Sequence, residues 1–134
     1  MMNKAGLESF YHDYIACLNA QNWDELERFV HDEVHHNGRL LGIAGYRAML
    51  ESDYMQIPDL HFEIQLLITD PPRIASRLQF DVTPKAGFLG LPVNGQRVRF
   101  CENVFYDCRG GRIREVWSVI DKAGIEAQLQ NAGA

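Results

Sequence analysis

Leu7, Phe10, Tyr11, Tyr14, Ile15 and Leu18 recur at steps of three and four residues, which sets them on one stripe of a helix from about Ala5 to Ala20. Asn22 followed three residues later by Glu25 has the form of a capping box, so a second helix is expected, with Trp23, Leu26, Phe29 and Val30 on its buried side. Val34 to Leu41 is short, rich in His and closes on a Gly-containing bend, which favours a strand. Gly42 and Gly45 open a third helix. Tyr46, Met49, Leu50, Tyr54 and Ile57 keep helical spacing there until Pro58, which lacks the backbone N–H, ends it near Gln56.

From Leu60 the period changes to two. Leu60, Phe62, Ile64, Leu66 and Ile68 alternate with polar positions, the pattern of a long strand with one buried face. Asp70-Pro71-Pro72 turns the chain, and Ile74, Leu78, Phe80 and Val82 mark a strand running back to Thr83. Asn94-Gly95 reads as the strongest hairpin signal, because both residues tolerate the positive φ of a type I′ turn, and it makes Val98 to Tyr106 a third strand paired across a tight turn. After Gly110-Gly111, Ile113, Trp117 and Val119 alternate along a fourth strand ending at Asp121, and Ile125 with Leu129 suggests a short terminal helix. Helices first and hairpin-linked strands afterwards predict an α+β fold: one domain over residues 1–134, with a mostly antiparallel sheet and a small-molecule pocket between the layers.

Composition narrows the function. The chain has 134 residues, 46% apolar and 23% charged, which suits one globular domain. Its formal charge is -5 and its Lys and Arg are scattered, so no footprint for nucleic acid is present. Met1 to Phe10 lacks a basic segment followed by an apolar run, and no stretch approaches the ~20 apolar residues of a membrane span, so no membrane partner and a cytoplasmic location are expected. Cys17, Cys101 and Cys108 show no C-x-x-C spacing and read as reduced thiols.

The segment Phe88-Leu89-Gly90-Leu91-Pro92-Val93-Asn94-Gly95-Gln96-Arg97-Val98, followed by Gly111-Arg112-Ile113, Glu115, Trp117 and Asp121, resembles the SnoaL-like polyketide cyclases of the nuclear transport factor 2-like superfamily. The resemblance implies a cone-shaped, cystatin-like fold, in which a strongly curved sheet wraps around N-terminal helices and encloses a pocket open at one end. It also implies a homodimer or higher oligomer, and ring closure by intramolecular aldol condensation with neither metal nor organic cofactor. An acidic residue serves as general acid and base, and the matching position is Asp121. The chain departs from the pattern at Pro84 and Val116, where the family carries His, and at Tyr106, where some members do. Each departure leaves two readings open, a different substrate or loss of the reaction.

Asp121 has the strand parity of Trp117 and Val119, so its carboxyl is expected beside apolar surface, which lifts a carboxyl pKa above its ordinary ~3.9. The alternative is a helix N-cap for Lys122 to Gln130. Tyr106 shares a face with Val98, Phe100 and Val104, and its hydroxyl either reaches an enolate oxygen or belongs to a plain core aromatic. Glu102, in the middle of that apolar face, calls for a cavity or for an ion pair with Arg77 or Arg99. His36 has the parity of Val34 and matches a His of the family, which places it at the pocket. His35 faces the other way, toward solvent or a subunit interface, and is kept as a candidate substrate contact. The opposite directions of His35 and His36 argue against a metal ion shared with His31. Trp117, Trp23, Tyr14, Phe88 and Met49 line the pocket or are simply core, and Asp53 is expected to be a solvated carboxylate.

The resulting expectation is cofactor-independent proton transfer on a small hydrophobic carbonyl substrate. Asp121 removes and returns the proton while Tyr106 or His36 holds the enolate. Two alternatives stand beside it. One is isomerisation or epoxide opening in the same pocket, the latter through an Asp-Arg-Asp relay using Arg77 or Arg99. The other is a non-catalytic binding or dimerisation module.

Overall fold

The computed structural model describes residues 2–132. Helix α1 (Lys4–Asn19) is capped by the Asn3 side chain, whose Oδ1 accepts the Gly6 N–H at 2.8 Å. It buries the predicted stripe, with Leu7, Tyr11, Tyr14 and Leu18 all nearly inaccessible. The expected second helix is a 3₁₀ turn over Trp23–Arg28, and the Asn22 side chain makes no capping bond. Its entry lies outside the extended region that an N-cap adopts, at φ -88° and ψ 69°, so the capping-box pattern is not realised.

The predicted Val34–Leu41 strand is a hairpin. Strand β1 (Val30–His36) turns at Asn37-Gly38, with φ 49° and 83°, into β2 (Arg39–Leu40), pairing His36 with Arg39. The short-hairpin rule for Asn-Gly is therefore satisfied here. Asn94-Gly95 also takes type I′ angles, φ 48° and 85°, but it closes an excursion over residues 83–97 instead of joining two strands directly. Within that excursion Phe88 and Leu91 bridge across a second such turn at Leu89-Gly90.

Helix α2 (Gly42–Gln56) ends before Pro58 as expected. Strands β3 (Glu63–Asp70), β4 (Arg73–Val82), β5 (Val98–Arg109) and β6 (Arg112–Ile120) follow, then helix α3 (Lys122–Ala132). The six strands form one curved, unclosed sheet in the order β2-β1-β6-β5-β4-β3, antiparallel throughout except for β1 beside β6. Helices α1 and α2 cover the inner face, where Ile74, Leu78, Phe80, Val82, Val98, Phe100 and Val104 form the core. Burying a side chain of this size contributes about 1.5–3 kcal/mol. Among the described residues no helix is long and apolar enough to cross a membrane.

Two bulges overturn half of the strand parity predicted from alternation. In β3 the pairing steps from Ile64–Leu78 to Leu66–Arg77, so Gln65 is the extra residue. Leu66 and Ile68 consequently face outward, 53% and 57% exposed, while Thr69 is buried. In β6 the pairing steps from Cys108–Ile113 to Asp107–Glu115, and Arg114 is the extra residue. Ile113 points inward before the bulge. After it the inward positions are Val116, Ser118 and Ile120, while Trp117 and Val119 face outward.

Gly38 has open space where a Cβ would sit, yet its φ of 83° is one that L residues avoid. Gly38→Val is expected to cost about 1–2 kcal/mol through backbone strain alone. Thermal melts check this; an unchanged midpoint would rule the strain out.

Candidate active site

The inner face of the sheet is not fully covered. Between α1, α2 and strands β1, β5 and β6 lies a cavity of about 440 Å3. Its apolar wall includes Leu18, Leu50, Phe62, Leu78, Val104 and Val116, and its polar groups are Tyr14, His36, Tyr46, Asp53, Glu102, Tyr106 and Ser118, with Lys122 also on the wall. Phe88 and Leu89 of the 83–97 excursion also close on it, and Phe88 packs on Phe100 with ring centroids 5.5 Å apart. A second hollow, about 630 Å3, lies by the Pro71-Pro72 and Gly110-Gly111 turns and carries neither a carboxyl nor an imidazole. The first hollow brings two carboxyls and an imidazole onto one wall.

Each cavity residue is set there by strand parity or helical spacing. Glu102 occupies the inner face of β5 between Phe100 and Val104, and the Ser118 hydroxyl of β6 donates to its Oε2. Burial pushes the Glu102 carboxyl above its ordinary value, and the Ser118 bond offsets part of that. Asp53 stands seven residues after Tyr46 on α2, two turns along the same face. Burial first, and the neighbouring charge of Glu102 second, push its carboxyl up to about 6. Two carboxyls on one mostly apolar cavity thus hold protons far more readily than in water. His36, on the inner side of β1, is held below its usual value by burial and by Arg39, so its ring is neutral at pH 7.

Tyrosine hydroxyls complete the wall. Tyr14 and Tyr46 share a hydrogen bond of 2.7 Å, and Tyr11 and Tyr106 one of 3.1 Å. Asn37 clamps the adjoining strand, accepting the Ser118 N–H at 2.8 Å and donating to the Ser118 carbonyl at 3.3 Å.

The predicted site divides along the bulge in β6. Tyr106, His36, Glu102, Tyr14, Phe88 and Met49 all lie on the cavity wall. Asp121 does not: it is exposed, and its Oδ1 accepts the Gly124 N–H at 3.1 Å as the N-cap of α3. Trp117 is 43% exposed on the outer face, because the extra residue Arg114 reversed its parity. His35 also lies off the cavity, its Nδ1 3.0 Å from the Glu33 carbonyl and 3.7 Å from Glu115 Oε1. Arg77 and Arg99 lie on the outer side, Arg77 bonded to Gln65 and Asn103 and Arg99 paired with Asp81. They can neither neutralise Glu102 nor serve an Asp-Arg-Asp relay inside. Asp53, expected in solvent, and Tyr46 and Ser118, given no role in advance, belong to the site. For Asp53 the signal was present, since it repeats the Tyr46–Met49–Leu50 face at helical spacing.

The comparisons agree with this architecture. The family model for the SnoaL-like polyketide cyclases matches residues 8–129, and the chain belongs to that family. The crystal structure of a SnoaL-like polyketide cyclase from Agrobacterium tumefaciens is 53% identical, with a TM-score of 0.92 over 96% of this chain and 99% of that one. TsrD from Streptomyces laurentii shares the fold at 21% identity, with a TM-score of 0.83 over 96% and 98%. Among curated proteins none matches the chain.

A carboxyl raised by burial favours folding at low pH, because the folded chain binds its proton more tightly. That contribution is complete below the unfolded value near 3.8 and is lost as pH rises through about 6. Asp53→Asn is therefore expected to raise the melting temperature at pH 7.5 relative to wild type and to leave it nearly unchanged at pH 4. Equal effects at both pH values in parallel melts would contradict a buried, proton-retaining Asp53.

Proposed function

We propose that this chain catalyses cofactor-independent proton transfer on a small, enolisable carbonyl compound, with Glu102 and Asp53 as the acid–base pair in place of Asp121. The observation that carries this reading is two carboxyls, both raised by burial, opening on one mostly apolar cavity. Burial raises both carboxyls and the charge of Glu102 adds to the cost of ionising Asp53, so the pair takes up and gives back a proton at higher pH than free carboxyls do. The ionised member takes a proton from carbon next to a carbonyl; the electron pair moves to the carbonyl oxygen as an enolate. In an intramolecular aldol closure the enolate carbon then bonds to a second carbonyl carbon, and the protonated carboxyl returns its proton to the new alkoxide. Atoms and charge balance with no further reactant. His36 and Tyr106 are in place to hydrogen-bond substrate oxygens. Double-bond migration is a second reading of the same pair, since it differs only in where the proton returns.

A test needs no knowledge of the natural substrate. 2-Tetralone in D2O exchanges its acidic CH2 protons slowly, and wild type is expected to accelerate that exchange as followed by NMR. Glu102→Gln and Asp53→Asn should each lower the acceleration by about a hundredfold or more, the usual yield of a positioned general base. Exchange at the wild-type rate in both variants would leave a binding module as the surviving reading.

We further propose that the chain forms a homodimer through the outer face of its sheet. There Ile68, Ala75, Phe105 and Trp117 stand in one cross-strand row, and in the next Leu66 and Val119 flank Arg77 and Asn103. Ile68, Phe105 and Trp117 of the first row are 57%, 60% and 43% exposed and Val119 is 70% exposed, and an exposed apolar row of this kind suits a contact surface. Phe105→Glu combined with Val119→Arg should convert the protein to a monomer in light scattering after size exclusion. A monomeric wild type would refute the assignment.

A further inference from the structure

The Tyr14–Tyr46 pair contains a hydrogen bond too few for its protons. Each phenol has one O–H, and the contact at 2.7 Å uses one of the two. Whichever hydroxyl donates, the other keeps a proton with no acceptor among the described residues. Both rings are almost completely buried, 1% and 3% exposed, and both line the cavity. A buried donor left unmatched costs free energy comparable to a lost hydrogen bond, so the cavity itself has to supply an acceptor. The rest of the wall narrows what that acceptor is. Tyr14, Tyr46, Phe62, Phe88 and Tyr106 give the space aromatic faces, which suit a flat unsaturated ring. The nearby carboxyls of Glu102 and Asp53 disfavour a ligand whose charge is a free carboxylate in the same chamber.

We infer that the Tyr14–Tyr46 hydroxyl pair is an oxygen-binding subsite that selects cyclic, unsaturated ligands carrying an enolic or phenolic oxygen, and donates its uncommitted proton to that oxygen. This deepens the reading of the cavity as the ligand site, on which it rests. It assigns the Tyr14–Tyr46 pair, not only His36 and Tyr106, to the ligand oxygen. Within a pair, one hydroxyl polarises the other, so the outer proton is a stronger donor than a single phenol would present. An enolate oxygen, more basic than the ketone from which it forms, gains more from such a donor than the ground state does.

The test compares 2-naphthol with 2-methylnaphthalene, two rings of nearly equal shape that differ in the oxygen, by quenching of intrinsic protein fluorescence and by calorimetry. Wild type is expected to bind 2-naphthol about tenfold more tightly, the effect of one buried hydrogen bond. Tyr14→Phe/Tyr46→Phe should bring the two affinities together while keeping that for 2-methylnaphthalene, which also reports that the cavity has stayed folded. If the double variant does not fold, the single Tyr46→Phe and Tyr14→Phe proteins serve, each expected to reduce the preference. Absence of a preference in wild type, or an undiminished preference in the variants, overturns the assignment. Binding is read separately from 2-tetralone exchange, so a tyrosine-dependent preference without exchange would fault the acid–base proposal and spare this one.

Discussion

The arrangement depends on one electrostatic constraint: the Glu102 carboxyl sits in the middle of the inner, apolar face of the longest strand, where water cannot solvate it fully. Ionising a carboxyl there is costly, and the Ser118 hydroxyl offsets only part of the cost. The sheet can carry such a group because helices α1 and α2 cover most of that face and stop short of covering all of it. The space left over is the cavity, and Asp53, His36 and the tyrosines border the same space. Had the helices packed flush, Glu102 would have needed a cation, and the arginines of β4 and β5 point away from it.

Two of these features reinforce one another. Glu102 raises the carboxyl of Asp53 and also bears on the Tyr14 and Tyr46 hydroxyls, whose own ionisation burial already opposes. The tyrosine hydroxyls therefore keep their protons at pH values where the carboxyls ionise, a difference that burial widens for the hydroxyls. On the opposite face of the sheet the same strands present Phe105, Trp117 and Val119 to the exterior. One sheet thus carries a chamber on one side and exposed apolar side chains on the other.

The failure at Asp121 and the success at Glu102 have a common cause. On β5 the alternation Val98, Phe100, Val104, Tyr106 runs without interruption through the cavity region, so placing Glu102 and Tyr106 by parity gave the right face. On β6 the extra residue Arg114 shifts the parity by one, and every residue after it lands on the face opposite to the one that Ile113 implies. Counting from Ile113 to Trp117 and Asp121 crosses that shift. In β3 the bulge at Gln65 did the same to Leu66 and Ile68. A bulge leaves little mark in a sequence, because a single unpaired residue is defined by the partner strand it fails to oppose.

The sequence by itself determined the α+β class, the family, the four strands from β3 to β6, the helix stripes of α1 and α2, and the presence of an acidic residue on an inner strand face. These follow from local periodicity, from turn residues and from a motif, all carried within short stretches of chain. Tertiary structure alone decided which carboxyls share a cavity, that Asp121 caps a helix, that Trp117 lies outside, and that Tyr14 and Tyr46 meet across 32 positions. Those outcomes depend on register between strands and on how closely helices seat against a curved sheet, and neither is encoded at any single position.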